Sequence, residues 1–177
     1  MASEPQVALL RGINVGGRNV LPMAELRAAL GASGMSDVRT YIQSGNIVFR
    51  SADPDPALAI GTVIRDAFGI EAPVVVRSLD ELERIAVARP ELGGDVPPKW
   101  LHAFVLDRPA DASAAPDPDR FDPDRLVVDG RETYATYPNG SGRSKLTLDV
   151  IERSFGVVAT ARNVSTLAAI VALGRRT

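Results

Sequence analysis

Val38-Arg39-Thr40-Tyr41-Ile42-Gln43-Ser44-Gly45-Asn46-Ile47-Val48-Phe49-Arg50 consists of two β-branched and aromatic runs, 38–42 and 46–50, on either side of Gln43-Ser44-Gly45. Such runs flanking a glycine-bearing turn read as a β-hairpin. On its N-terminal side, Met23, Leu26 and Leu30 share one helical face, Pro22 suits the first turn, and Gly34 stands where a C-terminal cap is wanted. Before that helix, the apolar run Val7-Ala8-Leu9-Leu10 reads as a strand. On the C-terminal side, Ile60, Val63, Ile64, Ala67 and Phe68 recur at helical spacing over 56–68, Gly69 ends the helix, and Pro73-Val74-Val75-Val76-Arg77 forms another strand. The order strand, helix, strand, strand, helix, strand is the ferredoxin-like βαββαβ arrangement. Its right-handed crossovers run the first and second strands parallel, so the loops that follow them emerge at one end. Residues 11–19 and 43–46 are therefore expected to converge.

The second half of the chain repeats the first. Arg65-Asp66-Ala67-Phe68-Gly69-Ile70-Glu71-Ala72 aligns with Glu152-Arg153-Ser154-Phe155-Gly156-Val157-Val158-Ala159, each ending a helix and entering a strand. Before the second copy come a strand at 101–106, a long connection, a hairpin over 126–134 and a helix from about Ser144 to Phe155. Extra helices near 79–88 and 166–173 follow the two halves. The expected fold is α+β: two ferredoxin-like halves, 1–90 and 100–177, joined by a linker at 91–99 and forming one globule. Between 107 and 124 lie six aspartates, two arginines and four prolines, which predicts an exposed, mobile segment: a variable insertion or an acidic lid.

The totals narrow the function. With 45% hydrophobic residues, 177 residues bury a core without staples. There is no cysteine and one histidine, His102, so disulfides, thiolate metal sites, a cysteine nucleophile and multi-histidine cages are excluded within the chain. No metal or cofactor is expected. The N-terminus has no basic and apolar leader, and no apolar run approaches a membrane span of ~20 residues, so a cytoplasmic protein without a membrane partner is expected. A net charge of -2 and a pI near 5.5 argue against a nucleic-acid coat, leaving any cationic surface local. Aromatics make up only 5% of the chain and the first strand is apolar on both faces, which also disfavours RNA recognition on an open sheet.

Five segments stand in fixed order: Leu10-Arg11-Gly12-Ile13-Asn14-Val15-Gly16-Gly17, Tyr41-Ile42-Gln43-Ser44-Gly45-Asn46, Pro138-Asn139-Gly140, Ser144-Lys145-Leu146 and Thr160-Ala161-Arg162-Asn163. Together they resemble the uncharacterised bacterial family known as domain of unknown function 1697, over 7–173. The resemblance implies a duplicated α+β fold and carries no activity, substrate or cofactor. After Arg162-Asn163 the family often has a tryptophan, whereas Val164 stands here.

Those segments supply the candidate site. Gly12, Gly16 and Gly17 permit positive φ and an anion-binding nest, although the spacing matches neither a dinucleotide nor a nucleoside-triphosphate fingerprint. The alternative is that they only turn the chain. Arg11, Arg18, Arg143, Lys145 and Arg162 have no acid within their motifs, so they suit a phosphate or carboxylate or else pin their own loops. Asn14, Asn19, Gln43, Asn46, Asn139 and Asn163 read a base or sugar, or satisfy their own turns. Arg11, Asn14, Gly16, Gly17, Gln43 and Asn46 are expected to form one wall of a polar cleft and Lys145, Arg162 and Asn163 another, with Arg18, Ser44 and Asn139 as further ligand-binding candidates. A shared cleft requires the halves to pack with opposed polarity.

Catalytic readings are weaker. Ser144 beside Lys145 lacks S-x-x-K spacing and adjacent helical residues point about 100° apart, so Ser144 is read as a helix N-cap. His102 sits in an apolar strand and reads as structural, and Asp149 with Glu152 as a solvated helical face. A general base would be Lys145 with a depressed pKa or a carboxylate outside the motifs. Three functions remain open: a binding domain for an anionic ligand such as a nucleotide or phosphorylated metabolite, a metal-free enzyme acting on such a molecule, and an assembly protein whose oligomeric state the sequence leaves open.

Overall fold

A computed structural model describes residues 3–88 and 96–176 of the chain. Contacts divide it into two compact units, residues 1–82 with 169–177, and residues 83–168. The expected boundary at 91–99 lies largely outside the described residues.

In the first unit the elements are β1 (Pro5–Leu10), α1 (Met23–Ala32), β2 (Ser36–Tyr41), β3 (Asn46–Arg50), α2 (Pro56–Phe68), β4 (Val74–Ser78) and α3 (Leu79–Val87), the last crossing the unit boundary. The strands form one sheet in the order β2-β3-β1-β4, and each neighbouring pair is antiparallel. Alternation puts Ala8, Leu10, Ile47 and Phe49 on the helical face, where they meet Leu26, Leu30, Ile60 and Ile64 in a closed core. Val7 and Leu9 point to the other face and are equally buried. Local chemistry sets the ends of α2. The Asp55 carboxylate accepts the Leu58 amide at 3.0 Å, Pro56 occupies the first turn, and Gly69 closes the helix at φ 66°.

The second unit contains β5 (Leu101–Leu106), β6 (Arg125–Asp129), β7 (Glu132–Thr136), α4 (Leu148–Phe155), β8 (Ala159–Asn163) and the start of α5 (Val164–Gly174). Its sheet runs β6-β7-β5-β8, again antiparallel throughout. The expected βαββαβ order is incomplete here, because the connection from β5 to β6 carries only short 3₁₀ turns at Ala112–Ala114 and Pro118–Phe121. Pro109, Pro116, Pro118 and Pro123 explain this, since proline removes the amides a continuous helix needs. The segment is largely exposed, as its composition predicts, with two exceptions. Phe121 enters the core beside Phe104, Leu106, Ile151 and Tyr137, and Asp124 is buried behind it.

Helix α4 starts later than expected. A 3₁₀ turn at Ser141–Arg143 is followed by Ser144 in extended conformation, and Thr147 is the cap, its hydroxyl accepting the Val150 amide at 3.4 Å. Gly156 then ends α4 at φ 62°, the device Gly69 provides for α2. Among the described residues no helix is long and apolar enough to cross a membrane, and no group of three or more histidine or acidic side chains is placed to hold a metal ion.

Candidate functional site

The two groups of candidate residues belong to different units, 11–46 to the first and 139–163 to the second. In the first unit the convergence expected from topology is observed. Leu10 donates its amide to the Gly45 carbonyl at 2.8 Å, and the Asn14 Nδ2 donates to the Gln43 carbonyl at 2.7 Å. Asn14 is the knot. The same amide donates to the Leu21 carbonyl at 3.1 Å, and its Oδ1 accepts the Leu21 amide at 2.8 Å. Its φ of 55° is one asparagine tolerates better than most side chains.

Beyond that knot, residues 14–19 form a miniature hairpin. Arg18 donates to Val15 at 3.0 Å, Asn14 donates to Asn19 at 3.1 Å, and Gly16 and Gly17 sit at φ 57° and 75°, the double positive φ a type I′ turn demands. The Asn19 side chain donates to the Gly12 carbonyl at 2.9 Å. Asn46 is fully buried and donates to the Tyr41 carbonyl and Ser44 Oγ at 3.0 and 2.9 Å. Arg11 is half-buried, with its amide on the Pro73 carbonyl at 3.0 Å. Arg18 and Gln43 are exposed, as are Val15, Val20 and Ile42, the last a β-branched residue held at φ 50°.

The second unit contains a cavity of about 720 Å³, large enough for a small metabolite. Asn139, Arg143 and Lys145 line it, with Trp100, Arg120, Asp122, Asp124 and Ser144. Register explains the assembly, since Leu101 pairs with Thr136 and brings Trp100, before β5, beside the turn that leaves β7. Arg143 and Lys145 are exposed and form no ion pair among the described residues, while Asp122 is held by Arg125 at 3.0 Å. Ser144 does not cap α4. Its hydroxyl donates to Asp124 Oδ2 at 2.5 Å and accepts the Leu146 amide at 2.8 Å.

Arg162 and Asn163 reach the same end of the sheet, where Asn163 pairs with His102, but neither lines the cavity. Arg162 turns back on its strand, donating to Thr160 Oγ1 and the Ala161 carbonyl, both at 2.8 Å, and burial pulls its guanidinium down to about 10. Asn163 Oδ1 caps α5 by accepting the Thr166 amide at 2.8 Å. His102 packs edge-on against Tyr137 at 5.0 Å, and burial lowers its pKa against a smaller opposing hydrogen bond to the Trp100 backbone. Tyr137 donates to the Leu146 carbonyl at 2.9 Å, and its ionisation is pushed up by burial first and the Asp124 charge second. Trp100, Arg120 and Asp124 escaped the sequence reading. They lie outside the polar motifs: strand register brings Trp100 to Asn139 and Lys145, and the turn at 118–124 brings Arg120 and Asp124.

The family model described as protein of unknown function (DUF1697) matches residues 4–134, which include both polar loops of the first unit and end before Asn139. No curated protein matches the chain. Among solved structures, the conserved bacterial protein SP0830 from Streptococcus pneumoniae is similar in fold, with a TM-score of 0.69 and 24% identity over 99% of this chain and 100% of that one.

Proposed function

This chain belongs to the DUF1697 family of proteins of unknown function, so its role has to be read from its own geometry, and we propose that it binds a small anionic ligand in the second-unit cavity. One observation carries the reading: Arg143 and Lys145 bring cationic groups that form no ion pair among the described residues to a recess beside Asn139, while the acids there are engaged by Arg125 and Ser144. Cations left unpaired beside a concave surface favour a phosphate or carboxylate. Trp100 adds an aromatic face, which suits a nucleotide as well as a phosphorylated metabolite.

Trp100 is the chain's single tryptophan, so its fluorescence reports events in this cavity. Titration with inorganic phosphate, ADP and a sugar phosphate should give a saturable change and a matching rise in unfolding midpoint. Lys145→Ala should weaken binding at least tenfold, or about 1.4 kcal/mol, and leave stability nearly unchanged because the side chain is exposed. A response identical in wild type and Lys145→Ala, or none in either, refutes the proposal.

We further read both units as variants of one ferredoxin-like plan, duplicated within the chain. The support is the matching strand order around β1 and β5 and the matching glycine caps of α2 and α4. A second functional reading, assembly with another copy, is favoured by exposed Val15, Val20 and Ile42 in the loops of the first unit. It expects a dimer in sedimentation analysis that Val15→Ser with Ile42→Ser dissociates.

A further inference from the structure

We propose that Ser144 and Asp124 form a nucleophile and base that accept a phosphoryl group from an acyl phosphate held in the second-unit cavity, an inference that rests on the anion-binding reading above. The starting point is the displaced cap. With Thr147 closing α4, the Ser144 hydroxyl has no capping duty, yet it is held from two sides. A serine hydroxyl carries one proton and two lone pairs. Here the proton points at Asp124 Oδ2 at 2.5 Å and the Leu146 amide occupies one lone pair at 2.8 Å, leaving the other for attack. Asp124 is 7% exposed, and its carboxylate is kept against the hydroxyl by the turn at Phe121, whose carbonyl accepts the Asp124 amide at 2.8 Å.

Both groups line the cavity together with Arg120, Arg143 and Lys145. A hydroxyl with a carboxylate at hydrogen-bond distance satisfies the geometric requirement for an activated nucleophile. Cations in the same wall select the electrophile, since charge develops on phosphoryl oxygens during transfer and they neutralise it. In the step, the free Oγ lone pair forms the Oγ–P bond and the bridging P–O bond breaks with its electron pair on the departing carboxylate. The Oγ proton passes to Asp124 Oδ2. An acyl phosphate fits because its leaving group departs as a weakly basic anion that needs no proton donor. The products are phosphorylated Ser144, a carboxylate and one proton, which Asp124 returns to water.

Acetyl phosphate is the probe. The full chain, incubated with it and examined by intact-mass and peptide-mapping spectrometry, should gain one phosphoryl group located at Ser144; adventitious lysine acetylation differs in mass. Ser144→Ala should lose that label and Ser144→Thr should retain it. Asp124→Asn should slow labelling on the order of a hundredfold, the range for a positioned base. Trp100 fluorescence with inorganic phosphate, measured on every variant, separates loss of chemistry from loss of the cavity. Phosphate binding with no phosphoryl label, or with the label elsewhere, overturns this inference and leaves the anion site standing. No phosphate response in the wild type overturns both. If Asp124→Asn fails to fold, Ser144→Ala with phosphate binding retained still decides: persistence of the label refutes the assignment.

Discussion

Gly45 is the point at which the first unit's hairpin is seated on its core, and Gly45→Ala should damage the fold far more than a typical loop substitution. Two independent costs apply. Its φ of 73° lies in the left-handed region, where a side chain costs about 1–2 kcal/mol. A Cβ there would stand 2.6 Å from Leu10 Cβ and 3.0 Å from its Cγ, and Leu10 is 1% exposed. The backbone cannot retreat freely, because the Gly45 carbonyl accepts the Leu10 amide at 2.8 Å. Overpacking of this kind costs about 1–3 kcal/mol, so the total is about 2–5 kcal/mol. Gly16→Ala is the internal control, at φ 57° with nothing within 4 Å of the added carbon. It bears the conformational cost alone, and any gain from a stiffer unfolded chain is common to both variants. Urea unfolding followed by circular dichroism should place Gly45→Ala at least about 1 kcal/mol below Gly16→Ala, the low end of the packing term. Equal midpoints and slopes for the two variants would refute the close seating of the hairpin on Leu10.

Asn14→Ala removes three hydrogen bonds, to Gln43 and twice to Leu21, and should cost about 1.5–4 kcal/mol in the same assay; a loss below about 0.5 kcal/mol would mean that the knot does not hold the loops together. His102 gives a pH signature. Its folded pKa lies below 6.5, so as pH falls through that value the unfolded chain takes the proton first and stability declines until the folded pKa is reached. With no second histidine to titrate there, His102→Gln should flatten the stability profile between about pH 7 and 5, and an unchanged slope would contradict the burial of the ring.

The first unit was legible because each of its elements states its own period and its own ends. Met23, Leu26 and Leu30 mark α1, Asp55-Pro56 and Gly69 bracket α2, and the hairpin runs flank their turn. The second unit hid more. Residues 107–124 have the composition of a solvated loop, and nothing local signals that Phe121 supplies core volume or that Asp124 turns inward. At 144–147, two hydroxyl residues compete for one helix start. The 3₁₀ turn at 141–143 extends Ser144 and gives the cap to Thr147, a choice made by the partner at Asp124 twenty residues away. Arg162 illustrates the same limit, since its motif lacks an acid and its guanidinium is nevertheless engaged by Thr160 and Ala161.

The two polar clusters therefore differ in what a ligand would have to displace. In the first unit Asn14, Asn19 and Asn46 are committed to backbone carbonyls, and Gly16 and Gly17 supply the conformation of a turn. A ligand recruiting those amides must break bonds worth about 0.5–1.5 kcal/mol each and leave half-buried carbonyls without donors. Arg18 and Gln43, with exposed apolar neighbours, are what remains for recognition, and an exposed, partly apolar surface of that kind suits a macromolecular partner better than a small anion. In the second unit the order is reversed. Arg143 and Lys145 form no ion pair among the described residues, so an anion gains their charge without displacing a carboxylate. Asp124 would repel that anion if it faced the cavity as a bare charge, and the Ser144 hydroxyl donating to it offsets part of that repulsion. The bond that places the serine for attack thus also makes the cavity more tolerant of the phosphate it would attack.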